Sequence, residues 1–541
     1  MKSRINIDCV GLMYLLGEHR TPKGVPVSFI VRDLLLRSEL VRNLQVHRVE
    51  IKTQSTIITQ ATILALDVGT SGIRASLFDE DASEVFSVRV DRDASLLSDF
   101  TELDPDKLVD EVILAVDKLF SEAGDIEGIE AIAISAFWHS LLGIDSNGLP
   151  AMPILTWADT RATRFAKTLR NNFNEREIHL RTGCRFHSSY WPAKILWLRD
   201  EQNDAYEKTD KWIGFAEFLC LRLFGKICVS TSMASATGLM NQRTCDWDWG
   251  FLGQLGLPRE TLPSIDHNID VTLRSTFVER WPALVNARLI TVVGDGAANN
   301  IGGGCASKKK IALMVGTSGA MRTVFAGEPP ADWATSLWSY RADERRVAVG
   351  GALSDGGGLY RWLLQSLAVD SDVEFASELA RLEPDSHGLT VLPFWSGERS
   401  TGWTGDARGA IVGFTQQTKP VEIVRAALEA IAYRFALIAQ ALDEISPDAQ
   451  IVATGNALRS SPVWLQIIAD VLGRQVVLGG SAEASIRGAA LLALEALGKI
   501  ESIEAVAVSV DRVFEPNMEA HARYRKGLER QEELYWKLTS L

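Results

Sequence analysis

The chain has 541 residues, of which 46% are hydrophobic and 23% charged, and its formal net charge is −13 at pH 7. This length exceeds the usual domain of roughly 100 to 200 residues, so we expect two large domains with insertions. The negative charge argues against charge-driven binding to nucleic acid or to an anionic membrane. No apolar run reaches the ~20 residues of a membrane span. The six cysteines are scattered without a CxxC pair, which favours reduced thiols and a cytoplasmic location.

Residues 1–60 differ in character from the rest of the chain. The short apolar run VGLMYLL (residues 10–16) has neither a basic start nor a small-residue cleavage site, which argues against a signal peptide. The first strong strand signal begins only at Ile63. We therefore expect residues 1–60 to be an extension outside the fold.

One short pattern occurs twice, as LALDVGTSG at residues 64–72 and as IALMVGTSG at residues 311–319, with seven of nine positions identical. Each copy is an apolar strand that turns sharply at a Gly-Thr-Ser-Gly loop. A single copy would be compatible with an ordinary glycine-rich turn. Two copies in the same strand context predict a duplicated α/β fold, with one loop in each of two lobes and a cleft between them.

The two loops are candidates for binding phosphate, because glycine leaves backbone N–H groups uncovered. Only the first copy carries a carboxylate, Asp67, where the second has Met314, and we predict Asp67 as the ligand of a single Mg²⁺. A Walker motif, GxxxxGK[ST], is absent, which excludes a P-loop enzyme. The candidate residues for binding ATP here are Gly69, Thr70, Ser71, Arg74, Gly316, Thr317 and Ser318.

A candidate base follows another apolar strand, in VVGDGAANNIGGG at residues 292–304. Asp295 stands between two glycines, which we interpret as leaving its carboxylate open to a ligand. Phosphoryl transfer needs a group that orients or deprotonates the attacking hydroxyl. The alternative is a turn aspartate that only accepts hydrogen bonds from nearby N–H groups.

Aromatic and polar residues that could contact a sugar follow a further strand. They are Trp138 and His139 in SAFWHSLLGID, and Asp159 and Arg161 in TWADTR. The alternatives are a packed, hydrogen-bonded histidine and a surface ion pair.

Later segments fit alternating α/β structure. The pattern predicts an antiparallel hairpin from residue 74, an amphipathic helix that begins at Pro420, and a strand over residues 451–455. A further helix is predicted from Ser461 to Gly473.

Residues 62–535 resemble the FGGY family of carbohydrate kinases. The resemblance rests on ALDVGTSGIRASLFD, VGDGAANN, MVGTSGAMRTVF, GERSTGWTGDARGAIVGFT, ATGNALRSSPVWLQIIADVLG and EASIRGAALLALEALG, in this order. It implies a duplicated actin-like (ribonuclease H-like) ATPase fold. The N-terminal, substrate-binding lobe would span residues 61–305 and the C-terminal, nucleotide-binding lobe residues 306–541.

The resemblance also implies ATP and Mg²⁺ as cofactors and a role for several residues. Asp67 would serve magnesium and phosphate, Asp295 would remove the proton of the sugar hydroxyl, and Thr317 would lie near ATP phosphate. Gly455 and Asn456 would form the adenine-side loop, and Trp138 and His139 the substrate pair. The chain departs from the family at Trp138, where methionine is frequent, and at Asn456, where a second glycine is frequent.

Within the family, SAFWHSLLGID and TWADTRA are most similar to the gluconokinase branch. This implies phosphorylation of the terminal hydroxyl of D-gluconate, whose carboxylate would need a cation. The candidates are Arg161, Lys194 and Arg399, each of which could instead be a solvated surface residue. The alternatives are a kinase for xylulose or another polyol, and a non-catalytic, ATP-binding actin-like regulator. A homodimer is compatible with the sequence.

Overall fold

A computed structural model describes residues 61–69, 72–92, 101–126, 128–480, 483–506 and 509–539. These residues belong to one compact unit, Thr56–Leu541. The expected N-terminal extension, residues 1–60, lies outside the described residues, as do Thr70 and Ser71.

The first sheet has six strands, which are β1 (Ile63–Val68), β2 (Gly72–Phe78), β3 (Glu84–Asp91), β4 (Ala131–Ala136), β5 (Val271–Thr272) and β6 (Arg288–Gly294). Their order across the sheet is β5-β6-β4-β1-β2-β3. Strand β1 pairs antiparallel with β2 and parallel with β4, which is itself parallel to β6.

The second sheet has seven strands, which are β7 (Lys310–Val315), β8 (Gly319–Ala326), β9 (Trp338–Arg341), β10 (Arg346–Leu353), β11 (Gln450–Thr454), β12 (Val476–Gly479) and β13 (Val510–Phe514). Their order across the sheet is β9-β10-β8-β7-β11-β12-β13. Strand β7 pairs antiparallel with β8 and parallel with β11, which is parallel to β12.

The two sheets repeat one topology. In each, the strand of the repeated motif (β1 or β7) lies between its antiparallel hairpin partner and a parallel strand that arrives after a long connection. The predicted duplication is therefore confirmed at the level of strand order, and each Gly-Thr-Ser-Gly loop joins the two strands of a hairpin at the centre of its sheet.

Helices cover the sheets and fill the connections. Within the described residues, no helix combines the length and the hydrophobicity that a bilayer crossing requires. The helices are α1 (Pro105–Ala123), α2 (Thr163–Asn172), α3 (Glu175–Thr182), α4 (Trp191–Glu201), α5 (Asn203–Lys208), α6 (Phe215–Phe224), α7 (Thr231–Ser235), α8 (Trp249–Leu255), α9 (Ser275–Arg280), α10 (Asp295–Gly302), α11 (Gly357–Ser366), α12 (Val373–Arg381), α13 (Pro420–Asp443), α14 (Asn456–Arg459), α15 (Pro462–Leu472), α16 (Ala484–Ala496) and α17 (Met518–Thr539).

Short strands and 3₁₀ turns complete the chain. The short strands are Glu102–Leu103, Leu142–Ile144, Ile154–Leu155, Lys211–Ile213, Val229–Ser230, Met240–Asn241, Asp246–Trp247, Ile265–Asp266, Thr390–Leu392 and Ala410–Val412. The 3₁₀ turns are Arg259–Thr261, Pro282–Leu284 and Ile503–Ala505.

The predicted local elements are present. The hairpin after the first loop is β2–β3, α13 begins at Pro420, and β11 occupies residues 450–454. Ser461 caps α15, since its hydroxyl accepts a hydrogen bond from the backbone N–H of Trp464, and Gly473 ends that helix in the left-handed conformation. These boundaries agree because caps and apolar periodicity are local properties of the chain.

Helix α16 departs from the expected division of the chain at residue 305. It lies late in the sequence, yet its apolar face belongs to the core of the first sheet and includes Ile486, Leu491 and Leu494. It contacts β1, β4 and α10. The first lobe is thus completed by a helix from the C-terminal part of the chain, which the predicted boundary did not include.

Candidate active site

Asp67 lies near the end of β1, where both neighbouring strands hold its carboxylate. Its register partner on β4 is Ser135, whose hydroxyl donates to Asp67 Oδ1 at 2.9 Å. Its register partner on β2 is Arg74, whose Nη1 donates to Asp67 Oδ2 at 3.0 Å. Burial raises the pKa of Asp67, although the charge of Arg74 and the hydrogen bond from Ser135 act in the opposite direction. The carboxylate is therefore held in a fixed orientation.

Asp295 begins α10, directly after β6. The backbone N–H of Gly296 donates to Asp295 Oδ1 at 2.7 Å. Burial raises the pKa of Asp295 to about 6; the charge of Arg322 opposes this and the charge of Asp67 adds to it. A carboxylate with this pKa is ionised at pH 7 and is a stronger base than an ordinary aspartate, as general-base catalysis requires.

The glycines that flank Asp295 have a different purpose from the one we predicted. A Cβ on Gly294 would lie 1.9 Å from the indole of Trp138, and a Cβ on Gly296 would lie 2.4 Å from the same ring. The glycines therefore make room for Trp138 rather than for a ligand. The indole is held in place because its Nε1 donates to the carbonyl of Ser232 at 3.1 Å.

A cavity of about 70 Å³ lies beside Asp295. Its wall combines aromatic rings with a few charged groups and with the start of β8. The lining residues are Phe137, Trp138, His139, Trp157, Ser189, Tyr190, Asp295, Met314, Ser318, Gly319, Ala320, Arg322, Trp338, Tyr340, Ala352, Arg399 and Trp403. Asp295, Trp138, His139, Ser318 and Arg399, which we predicted from distant parts of the chain, thus share one cavity. Such aromatic walls with few polar groups are typical of a pocket for a small ligand.

His139 is a neutral hydrogen-bonding group in this cavity. Burial lowers its pKa to about 3, so the imidazole carries no charge near pH 7. Its Nδ1 lies 2.7 Å from the carbonyl oxygen of Ala236 and must carry the proton that this contact requires. Nε2 is then an acceptor, which suits a hydroxyl group of a ligand.

Arg399 and Arg322 bring two cations to the cavity. Arg399 is buried, donates from Nη2 to the carbonyl of Leu353 at 2.8 Å and stacks over the ring of Trp157 at 4.5 Å. The surface role that we left open for Arg399 is therefore excluded. Arg322 on β8 donates from Nε to Asn300 Oδ1 at 3.1 Å. Sequence reasoning missed Arg322, although it stands only three residues after the second glycine loop.

The second glycine loop is joined to the start of α11 by backbone hydrogen bonds. The N–H of Gly357 donates to the carbonyl of Gly316 at 2.9 Å. The N–H groups of Gly356 and Gly358 donate to the carbonyl of Thr317 at 3.1 and 2.9 Å. Thr317 itself is exposed and available to a ligand. Residues 356–358 were not among the predicted site residues, but the pattern of a strand, a glycine run and a helix start could have indicated them.

Gly455 brings a third segment to the same place. Its φ of +91° is one that residues with a side chain rarely adopt, and a Cβ there would lie 2.6 Å from the carbonyl oxygen of Val315. A Cβ on Gly357 would lie 3.0 Å from the Cβ of Ala457 in α14. The ends of β7 and β11 and the start of α11 therefore converge. Asn456 begins α14, and its side chain lies outside the described part.

On either side of Thr70 and Ser71, the N–H of Gly69 donates to the carbonyl of Gly72 at 3.1 Å. Arg74 follows the loop and links two acidic groups, since its Nε lies 2.7 Å from Glu483 Oε2 while its Nη1 contacts Asp67. Glu483 precedes α16. Arg74 therefore contacts carboxylates, and its predicted role in binding the nucleotide stays a prediction, as does that of Gly69, Thr70 and Ser71.

Lys194 is fully buried behind the cavity. Its ammonium donates to the backbone carbonyls of Thr156, Ser189 and His139. Burial lowers its pKa to about 7. Three acceptors take up its three protons, so these contacts favour a structural role over the predicted contact with substrate.

Asp159 and Arg161 contact each other rather than the cavity. Arg161 donates to both oxygens of Asp159, at 3.0 and 2.8 Å, and to Glu102 at 2.6 Å, and it stacks over Trp197 at 4.5 Å. Asp159 is buried but the side chain of Arg161 is 44% exposed, so the pair lies at the surface with its carboxylate covered. These contacts favour a role in positioning the loop after Ile154–Leu155.

The arrangement can support transfer of a group to a hydroxyl. A base, a neutral hydrogen-bond acceptor and two cations line an aromatic cavity that also reaches Ser318 and Gly319 of the second glycine loop. The carboxylate of Asp67 lies close enough for its charge to raise the pKa of Asp295.

Comparison with known proteins identifies the family. Residues 62–302 match the N-terminal domain of the FGGY family of carbohydrate kinases, and residues 311–497 match its C-terminal domain. A gluconokinase from Bacillus subtilis (strain 168) is 30% identical over 469 residues, which cover 84% of this chain and 91% of the relative.

Two solved structures from Lactobacillus acidophilus have the same fold. The gluconate kinase superposes with a TM-score of 0.79 at 29% identity, covering 88% of this chain and 98% of the other. The ligand-bound xylulose kinase superposes with a TM-score of 0.79 at 28% identity, over 88% and 98% of the two chains. Together with the duplicated sheets and the shared cavity, these matches show that the chain belongs to the FGGY family of carbohydrate kinases.

Proposed function

We propose that this protein transfers the γ-phosphoryl group of ATP to the terminal hydroxyl of a sugar acid, D-gluconate. One observation carries the proposal: Asp295, the candidate base, lines the same cavity as Ser318 and Gly319 of the second glycine loop. A hydroxyl bound beside Asp295 would then face phosphate held at the loop. Phosphoryl transfer depends mainly on such positioning and on electrostatic stabilisation.

In this mechanism the sugar lies against Trp138 and donates one hydroxyl to His139 Nε2. Asp295 accepts the proton of the attacking hydroxyl, and the N–H of Gly296 keeps the carboxylate pointed in one direction. Aromatic rings around the cavity exclude water, which limits wasteful hydrolysis of ATP.

The nucleotide would lie where the loop at Gly316, the start of α11 and Gly455 converge. The backbone N–H groups at the start of α11 are tied to the loop, so this part of the site is rigid before ATP arrives. The exposed hydroxyl of Thr317 can add a donor to phosphate oxygens.

Asp67 fits the role of a magnesium ligand. Mg²⁺ is usually bound by one or two carboxylates together with substrate phosphates and water, not by an all-protein cage. Among the described residues, one group of three His, Cys, Asp or Glu side chains could hold a metal ion by itself. It consists of Asp385, His387 and Glu429 and does not include Asp67. One fixed carboxylate beside Asp295 matches that requirement. When bound, the ion would neutralise charge on the phosphate oxygens.

D-gluconate is the favoured substrate because two of the similar proteins, from Bacillus subtilis and Lactobacillus acidophilus, are a gluconokinase and a gluconate kinase. A neutral ketose is the second candidate, because the xylulose kinase superposes equally well. The cations in the cavity favour the acid.

The test is a coupled assay of ADP release with D-gluconate, D-xylulose and glycerol as acceptors. We expect saturable turnover of gluconate that is lost in Asp295→Asn and retained in Asp370→Asn, an exposed aspartate that serves as the control. Turnover of xylulose or glycerol with none of gluconate would exclude the sugar acid. Unchanged turnover in Asp295→Asn would exclude Asp295 as the base, and absence of turnover with every acceptor would favour the non-catalytic alternative.

A further inference from the structure

Among the described residues, the two buried guanidinium groups that face the cavity donate only to neutral hydrogen-bond partners. Arg322 is 4% exposed and Arg399 is 9% exposed, and both line the cavity. Arg322 donates to the side-chain oxygen of Asn300, and Arg399 donates to the carbonyl of Leu353. Neither contact neutralises a charge, although buried charges in proteins are ordinarily paired.

Each of these arginines also has an unused donor. Among the described residues, Arg322 Nη2 and Arg399 Nε are buried and have no hydrogen-bond partner. Buried donors are nearly always satisfied, so an exception beside a cavity indicates a missing acceptor. Two such donors at one cavity indicate a ligand with more than one acceptor oxygen.

Among the described residues, the acidic groups nearby act on the two arginines through their charge but accept no hydrogen bond from them. Asp355 accepts hydrogen bonds from the N–H and the hydroxyl of Ser396, at 2.9 and 3.0 Å. Burial raises the pKa of Asp355 and of Asp295 to about 6, so both are ionised at pH 7 but take up a proton more readily than an ordinary aspartate. Burial lowers the pKa of Arg322 to about 10; the charge of Asp295 opposes this and the charge of Arg399 adds to it. The two cations repel each other, and an anion bound in the cavity would relieve that repulsion.

We propose that Arg322 and Arg399 form an anion subsite that binds the carboxylate of the substrate and thereby selects sugar acids over neutral polyols. This inference rests on the proposed function and adds the residues that determine its specificity. A guanidinium offers parallel N–H donors that match the two oxygens of a carboxylate. The stacking of Arg399 on Trp157 fixes the plane of that fork.

The phosphoryl group that ATP transfers could also supply anionic oxygens to the arginines. The position of the arginines favours the substrate carboxylate instead. Trp138, Trp338 and Trp157 line the cavity with them, and such walls suit the carbon chain of a sugar acid rather than a polyphosphate. The nucleotide is proposed to lie where Gly316, the start of α11 and Gly455 converge, and none of these three lines the cavity.

The test uses D-gluconate and D-gluconamide, which differ only in that a neutral amide replaces the carboxylate. Their dissociation constants are measured by calorimetry without nucleotide. No reaction then takes place, so the measured affinities do not depend on proton transfer to Asp295. We expect the wild-type protein to prefer gluconate by about tenfold or more, as hydrogen bonds to a charged group imply. Arg322→Met and Arg399→Met should each weaken gluconate binding by about tenfold and leave gluconamide binding nearly unchanged.

An exposed arginine on α17 supplies the control, since Arg525→Met should change neither constant. Circular dichroism establishes that each variant is folded. If a methionine variant does not fold, the lysine variant at that position, which keeps the charge, replaces it. The wild-type protein also tests the proposal, because equal affinity for gluconate and gluconamide would overturn the subsite.

Two other results would overturn it as well. Equal losses for both ligands would mean that the arginines only shape the cavity. A raised KM for ATP with an unchanged ratio of the two ligands would assign the arginines to phosphate. If the protein phosphorylates gluconate but the variants keep the wild-type preference for gluconate over gluconamide, the subsite is wrong and the proposed function stands. If the protein phosphorylates neutral polyols and not gluconate, both the subsite and the proposed function are wrong.

Discussion

Gly302 of α10 and Gly488 of α16 lie where the two helices meet through their backbones. A Cβ on Gly302 would lie 2.7 Å from the backbone nitrogen of Gly488, and a Cβ on Gly488 would lie 1.9 Å from the carbonyl oxygen of Ala298. Helix α10 begins with Asp295. The contact between these glycines therefore sets the position of the candidate base relative to the first sheet.

Gly488→Ala should destabilise the protein and lower its activity, because the new methyl group cannot fit without separating the helices. Overpacking of this kind costs about 1–3 kcal/mol. Urea unfolding measures the loss, and Gly253→Ala is the control, since a Cβ there has no atom within 4 Å. The control should leave stability unchanged or raise it by up to ~1 kcal/mol. Equal stability of Gly488→Ala and wild type would contradict the close contact.

The pH dependence of activity should follow Asp295. Its pKa of about 6 means that the carboxylate is ionised above this pH and protonated below it. We expect kcat/KM to be constant above about pH 7 and to fall as the pH drops through 6. Asp295→Asn should lower kcat by roughly 10²- to 10⁴-fold. A profile that stays flat down to pH 4.5 would show that another group accepts the proton.

Asp295 should also make the wild-type protein less stable as the pH rises. Its pKa is about 6 in the folded protein, against an ordinary value of 3.8, so the folded state binds more protons between these pH values. The free energy of unfolding that this group contributes therefore decreases from pH 4 to pH 6. Thermal melts should show Asp295→Asn gaining stability relative to wild type between pH 4 and pH 8. A constant difference would mean that the carboxylate is as well solvated as in the unfolded chain.

His139→Asn should weaken sugar binding without moving the acidic limb of the pH profile. His139 has a φ of +67°, which asparagine tolerates better than other residues, so the backbone should be preserved. The imidazole has a pKa of about 3 and does not titrate in the working range. Steady-state kinetics should show a higher KM for the sugar and an unchanged inflection near pH 6. A shift of that inflection would show that His139 takes part in proton transfer.

Lys194→Met should lower stability more than affinity for the sugar. The substitution leaves three backbone carbonyls without their donor, and each buried acceptor left unsatisfied costs ~1–3 kcal/mol. Thermal unfolding measures this, with the exposed Lys107→Met as the control. In the folded fraction, KM should change far less than in the arginine variants. A large rise in KM with unchanged stability would restore Lys194 as a substrate ligand.

Local sequence patterns predicted much of the fold. The two copies around Asp67 and Met314 indicated duplicated strands, and the sheets do repeat one strand order. Caps such as Ser461 and Gly473 located helix ends, because they depend on a few neighbouring backbone groups. Asp295 could be singled out because it stands between two glycines at the end of an apolar strand, although a turn aspartate was the alternative there.

Other features could not be predicted because they depend on contacts between distant segments. The glycines beside Asp295 proved to accommodate Trp138, which is more than 150 residues away in the chain. Arg322 looked like an ordinary residue of a strand, and only the structure shows that it lines the cavity and donates to the neutral amide of Asn300. Lys194 looked like a ligand for an acid until three carbonyls were found around it.

Strand patterns, glycine loops and the order of motifs are properties of short segments, so the residues alone indicated the family, the duplication and the acidic groups. The folded chain was needed to show which cations face the cavity, why particular glycines are required and where α16 packs. Burial, charge pairing and close backbone contact arise between residues far apart in the chain, and their energies depend on distances that no local pattern records.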